Sequence, residues 1–129
     1  MKKFITAVIV LLFAAGFAYA KDYTVMKKTG DYTVNVKMDK NPPVTGNNRM
    51  EISIQDKAGA YVTDAIVTVE YAMPAMSGMP AMNYNSMTEL KDKLYLATLN
   101  FSMSSAWNVN IKFIRNGKTQ SVKFNVDVS

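Results

Sequence analysis

Alternation of apolar and polar residues with a period of two is the feature that most constrains how this chain can fold. In Tyr32–Met38, Met50–Ile54 and Trp107–Phe113, every second residue is apolar. Such a period places the apolar side chains of a β-strand on one face. Similar runs are Tyr23–Met26, Ala65–Tyr71, Leu94–Phe101 and Val122–Val128. No helical periodicity stands out after residue 20, so the sequence predicts an all-β domain.

Turn signals separate these runs. Thr29–Asp31 contains a glycine between the first two runs, and Arg115–Lys118 contains Asn-Gly between the last two. Asn-Gly supplies the positive φ angles that a tight hairpin turn requires. About seven strands at this spacing predict an immunoglobulin-like antiparallel β-sandwich, with one face of each sheet buried. Met26, Met38 and Met50 fall on apolar strand positions, and we assign them to its core.

The first 20 residues have the composition of a signal peptide. Two lysines precede an apolar run from Phe4 to Ala20, and Ala18-Tyr19-Ala20 matches an A-x-A cleavage site. We therefore expect a cleavable signal peptide over 1–20, one domain over 21–129, and a periplasmic or otherwise extracytoplasmic location without membrane insertion after cleavage. An uncleaved anchor is the alternative, because the apolar run is close to the shortest that spans a bilayer.

The chain contains no Cys and no His, whereas Met is abundant at ten residues. An exported domain without Cys has no disulfide and depends on its core for stability. Without His it lacks the commonest general base, and no pair of carboxylates has a suggestive setting, so we expect a protein that is not an enzyme. After loss of Lys2 and Lys3, the chain has 13 basic and 10 acidic residues. This mild charge, scattered along the strands, argues against a nucleic-acid partner. We also expect a monomer.

Four methionines recur at every third residue in the segment Met73–Met82. They are Met73, Met76, Met79 and Met82. A helix is excluded by Pro80, and polyproline II has the matching three residues per turn, with successive Met Cα atoms roughly 9 Å apart. Several thioethers can therefore meet one ion only if the segment bends, for which Gly78 is suited. Otherwise two Met bind the ion and its coordination is completed elsewhere, with Met103 and Trp107 as candidates.

Thioether sulfur is a soft, neutral ligand that suits Cu(I) and, as its surrogate, Ag(I). An indole face also attracts a monovalent cation, which makes Trp107 a candidate for the same site. The residues alone leave two other interpretations open. The Met segment could plug one end of the sandwich, or dock on a partner protein without any metal. Trp107 by itself is more typical of a sandwich core than of a metal site.

The segment Met73–Met82, followed by Leu94–Met103 and Trp107-Asn108-Val109, resembles the YtkA-like/FixH-like domain family. Members of that family are extracytoplasmic immunoglobulin-like sandwiches that recur near heavy-metal efflux components and cytochrome oxidase assembly systems. Many members have Gly between the Met and the Trp, where this chain has Ser104-Ser105-Ala106. The resemblance implies copper handling by Met73, Met76, Met79, Met82, Met103 and Trp107.

With the resemblance included, we expect a periplasmic Cu(I)- or Ag(I)-binding accessory or chaperone protein. Its partners would be membrane efflux or cytochrome oxidase assembly proteins. The alternative is an interaction module whose Met-rich loop docks on such a complex without binding metal.

Overall fold

The computed structural model describes residues 23–129, which form nine strands. They are β1 (Tyr23–Thr29), β2 (Tyr32–Met38), β3 (Gly46–Gln55), β4 (Ile66–Met73), β5 (Met82–Met87), β6 (Glu89–Lys91), β7 (Leu94–Phe101), β8 (Ser105–Arg115) and β9 (Lys118–Val128). Within these residues there is no helix long and apolar enough to cross a membrane. The predicted signal peptide at 1–20 lies outside the described residues.

The strands form two antiparallel sheets. One has the order β1-β2-β3-β7-β6 and the other the order β5-β4-β8-β9. In an immunoglobulin constant-type domain, strands A, B, E and D form one sheet and strands C, F and G the other. Here β2-β3-β7-β6 and β4-β8-β9 reproduce those two orders, with β1 and β5 added at edges. The predicted all-β, immunoglobulin-like sandwich is therefore confirmed.

Two of the nine strands were not anticipated from the alternation pattern. β6 has only three residues, all exposed, and β5 is an edge strand with no fully buried residue. A strand without a buried face has little reason to carry an apolar alternation. The sandwich therefore has more strands than the seven or so that the sequence predicts.

The core lies between the sheets and takes alternate residues from most strands. Its largest fully buried side chains include Trp107, Phe101, Phe113, Met38, Met50, Ile52 and Ile54. Met38 and Met50 face each other across β2 and β3, which confirms their core assignment. The assignment of Met26 is wrong, because its side chain is 65% exposed. Met26 pairs with Asn35, which lies between two buried valines, so the register turns both residues outward.

Three connections and the end of the chain meet at one end of the sandwich, which we call the Met end. They are the β2–β3 loop, the β4–β5 hairpin, the β7–β8 loop and Ser129. The Ser102 hydroxyl of the β7–β8 loop donates to Met82 Sδ at the base of the hairpin, at 3.4 Å. Thr45 of the β2–β3 loop lies 3.3 Å from Ser104, hydroxyl to hydroxyl, and its N–H donates to the carbonyl of Ser129.

The predicted hairpin at Asn116-Gly117 is confirmed and lies at the opposite end. It joins β8 to β9, with φ angles of 54° and 76° at its two central residues. Positive φ at both positions is the mark of a type I′ turn, whose twist matches that of the strands it connects.

Candidate metal site

The Met segment closes a β-hairpin between β4 and β5. Met73 and Met82 are directly opposite each other as the last pair of the β4–β5 ladder. Met76 and Met79 form a second pair, with backbone N–H to carbonyl hydrogen bonds of 3.0 and 2.8 Å in the two directions. The segment therefore bends back on itself, as a site with several thioethers requires. It does not form a straight polyproline II segment. Four methionines become two cross-strand pairs.

The bend depends on Gly78. This residue has a φ of 81° at the third position of the four-residue turn Met76–Met79. A type II turn requires positive φ there, which glycine adopts without the clash that a Cβ introduces. Pro74 and Pro80 lie between the two Met pairs and have no N–H, so the ladder is interrupted there.

The four methionines in Met73–Met82 differ in exposure. Met73 is 0% exposed and part of the core. Met79 and Met82 are half-buried and pack against the core, whereas Met76 is 43% exposed. An ion arriving from solvent therefore reaches the thioethers of Met76, Met79 and Met82 more readily than that of Met73, which lies in the core.

Met82 is the methionine with the most defined surroundings. Two hydroxyls donate to its sulfur, that of Ser102 at 3.4 Å and that of Tyr84 at 3.8 Å. Thioether sulfur is a weak acceptor, and the lone pairs that take these hydrogen bonds are the ones that a metal ion would use. The two hydroxyls therefore mark the side of Met82 on which an ion would bind.

Met103 and Trp107 lie next to this hairpin. Met103, in the β7–β8 loop, is half-buried against the core and follows the Ser102 that contacts Met82. Its carbonyl accepts a hydrogen bond of 3.0 Å from Nε1 of Trp107, whose side chain is 0% exposed. The structure thus brings Met103 to the hairpin and places Trp107 beneath it. An ion would meet the indole face only from within the core.

Trp107 belongs to an aromatic cluster under the Met end. Its ring centroid lies 5.2 Å from that of Phe101, and 6.0 Å from those of Tyr71 and Tyr84. Tyr71 and Tyr84 stack at 5.4 Å, and the Tyr71 hydroxyl accepts from the backbone N–H of Asn100 in β7. These contacts connect β4, β5, β7 and β8 and give the hairpin a rigid base.

Sequence reasoning missed the two polar neighbours of Met82. Tyr84 lies two residues beyond Met82 and so on the same face of β5, a signal that was hidden because β5 itself was not predicted. Ser102 comes from another strand end, and no local pattern relates it to the hairpin. Met87, which continues the Met-rich stretch in the sequence, lies at the other end of β5 and is 70% exposed.

Comparison with known proteins gives one finding for the chain as a whole. A family model described as YtkA-like matches residues 26–112. The matched part contains the hairpin, the β7–β8 loop and Trp107. No curated protein matches the chain. Because the family model covers more than half of its residues, the chain belongs to the YtkA-like family.

Proposed function

We propose that this protein is a periplasmic Cu(I)- and Ag(I)-binding accessory or chaperone. It holds the ion by Met thioethers at the hairpin and passes it to a membrane efflux or cytochrome oxidase assembly partner. The observation that carries the proposal is the cross-strand pairing of Met73 with Met82 and of Met76 with Met79. Directly opposed Cβ atoms lie roughly 4.5–5.5 Å apart, so two flexible Met side chains can reach a common ion.

The reachable donors are Met76, Met79 and Met82, with Met103 as the fourth. All four lie at the Met end, and none is fully buried. A site of neutral sulfur ligands favours a soft monovalent ion and has little affinity for Zn(II) or Mg(II). On ion binding, the hydroxyls of Ser102 and Tyr84 turn from the Met82 sulfur to water.

Transfer to a partner is supported by the shape of the hairpin. Its tip, from Pro74 to Gly78, is exposed, and Met76 lies within that tip. A partner can therefore offer its own ligand to an ion on Met76 before the inner thioethers release it. Thioethers stay uncharged throughout, so no proton has to be taken up or released during the exchange.

Calorimetric titration with Ag(I) tests the proposal. Wild-type protein should bind Ag(I) and give no heat with Zn(II), and the M76L/M79L/M82L variant should lose the Ag(I) heat. Leu keeps the apolar bulk while removing the sulfur. The matched control is M26L/M87L, which removes two methionines that are 65% and 70% exposed and lie outside the segment Met73–Met82. The proposal fails if the hairpin variant binds as well as wild type, or if the control loses as much.

The second candidate is a docking module without metal. It is favoured by the exposed apolar tip of the hairpin, where Met76 offers a flexible contact to a partner. Docking tolerates Leu in place of Met because apolar bulk is kept, whereas metal binding does not. Absence of any Ag(I) heat in the wild-type protein would therefore rule out the metal site and leave docking as the candidate.

A further inference from the structure

The outer face of the β5-β4-β8-β9 sheet carries an unusual concentration of asparagine. Two adjacent rows run across all four strands, and the pairing registers define them. One row is Asn85-Glu70-Asn110-Lys123, and the other is Asn83-Ala72-Asn108-Asn125. Five of these eight positions are Asn. We call the two rows the Asn face.

This composition opposes the local preference of the backbone. Asn is depleted in β-strands, whereas Thr, Val and Tyr are favoured on a half-exposed sheet surface. Residues that break a local rule without a packing reason are typical of functional surfaces.

The side chains at the centre of the Asn face are held in fixed positions. Glu70 accepts from Asn110 Nδ2 at 3.1 Å through one oxygen and from Lys112 Nζ at 3.3 Å through the other. This leaves Oδ1 of Asn110 buried, and within residues 23–129 it has no hydrogen-bond partner. This acceptor is therefore available to a donor from solvent or from a ligand that lies on the face.

A depression of about 490 Å³ is lined by all eight of these residues and by the four residues that lie between them along the strands, Tyr84 among them. Ala72, in the second row, has the smallest side chain of the eight. A volume of this size lies in the range of small-molecule sites. Neighbouring residues within a row lie on adjacent strands about 4.8 Å apart, and the two rows are roughly 6.8 Å apart along the strands. The lining thus presents a regular grid of carboxamides.

We propose that the Asn face binds a hydroxyl-rich ligand of the saccharide class. Each carboxamide offers two N–H donors and one acceptor, and each hydroxyl of a sugar likewise both donates and accepts. The charges at this surface are few, since Glu70 is paired with Lys112 and only Lys123 is left over in these rows. A largely uncharged, hydroxyl-rich ligand therefore matches the lining better than a phosphate or a polyanion.

The site is separate from the Met hairpin. Asn83 follows Met82 in the chain, but alternation along β5 turns Asn83 outward, while Met82 packs against the core. A saccharide on the Asn face would therefore contact side chains other than the thioethers of the Met end.

An NMR titration of the ¹⁵N-labelled protein tests this inference, with maltotetraose, cellotetraose and chitotetraose as probes at millimolar concentration. At least one should shift the side-chain amide signals of the Asn face in a saturable way. The N108T/N125T variant replaces a directly opposed pair on β8 and β9 and should lose about tenfold in affinity or more. Thr is favoured in strands, so this variant should melt no lower than wild type.

The matched control is Asn35→Thr, the same change on the outer face of the other sheet, which should bind as wild type does. The inference is overturned if none of the three probes gives a saturable shift. It is equally overturned if the shifts map away from the Asn face, or if N108T/N125T binds with unchanged affinity.

Discussion

Trp107 is the residue that joins the Met end to the core. Its indole N–H donates to the carbonyl of Met103, and its ring packs on Phe101 and Tyr71. A change in the position of Met103 therefore alters the hydrogen bond of the indole directly. The chain has one Trp, so its emission reports this single place.

Ag(I) should change the fluorescence of Trp107 if Met103 takes part in the site. The ion repositions the Met103 loop or approaches the indole face, and either event perturbs the emission. Met103→Leu keeps the backbone carbonyl and the apolar bulk, so its emission without metal should stay close to wild type while its response to Ag(I) falls. Emission that saturating Ag(I) leaves unmoved would place both residues outside the site.

Exposed and buried methionines serve different purposes in this chain. Met38 and Met50 are 0% exposed core residues, whereas Met26 is 65% exposed on an edge strand. Of the four methionines in Met73–Met82, Met73 is 0% exposed like Met38 and Met50, and the other three lie between these extremes. All four share one end of the sandwich. The type of residue does not distinguish these roles. They are distinguished by the position of each methionine in the strand register and by its distance from the end of the sandwich.

At the scale of the element, the hairpin depends on one backbone conformation. Gly78 and Gly59 have φ angles of 81° and 85°, and no atom lies within 4 Å of the place where a Cβ would stand at either. Ala at either position therefore costs only the backbone strain, about 1 kcal/mol. Gly59 lies in the β3–β4 loop at the opposite end of the sandwich.

Gly78→Ala should weaken Ag(I) binding, while Gly59→Ala should not. Both variants should lose a similar small amount of stability in chemical denaturation, because the two strains are alike. Only Gly78 holds the turn that pairs Met76 with Met79. Calorimetry with Ag(I) compares the two. Equal affinities would mean that the Met pairing does not matter for the ion.

Much of the architecture could be predicted because burial on one face imposes a period of two. β2, β3 and β8 follow that rule, and so does the core position of Met38. Edge strands follow the period of two less strictly, because residues such as Met26 on β1 and Tyr84 on β5 are only partly constrained by burial. At the site, the spacing of the methionines and the bend at Gly78 could be predicted from the local sequence. The contact of Ser102 with Met82 joins two distant parts of the chain, and only the tertiary fold creates it.

At the scale of the whole molecule, two tyrosines should make the free energy of unfolding fall at alkaline pH. Burial raises the pKa of Tyr95 above its ordinary value of 10.0, and nearby Asp64 adds to the rise, while a hydrogen bond from the Ala65 N–H opposes it. Burial also raises the pKa of Tyr23, with a further contribution from Asp127. The folded state therefore favours the neutral phenols.

The free energy of unfolding should keep this contribution below pH about 10 and lose it as the pH rises through the raised pKa values. Tyr95→Phe should remove part of that alkaline loss. It should also cost about 1–3 kcal/mol at neutral pH, because the Tyr95 hydroxyl donates to Val62 and accepts from Ala65. Urea denaturation over a pH series measures both effects. An unchanged alkaline slope in the variant would contradict this origin.

Export should remove residues 1–20 and leave a mature protein that begins at Lys21, since Ala18-Tyr19-Ala20 is the credible cleavage site. The intact mass of protein recovered from the periplasm measures this. A full-length mass in the membrane fraction would instead mean that the N-terminal segment is kept as an anchor.

The most direct test of the central claim is the melting temperature with and without Ag(I). An ion that binds only the folded protein stabilises it by about 2.7 kcal/mol at about 100 times its dissociation constant. For a domain of this size, the melting temperature should rise on the order of 10 °C. The variant with Leu at Met73, Met76, Met79 and Met82 should stay folded and show no rise. A wild-type protein without a shift, or a variant that keeps all of it, would contradict the account.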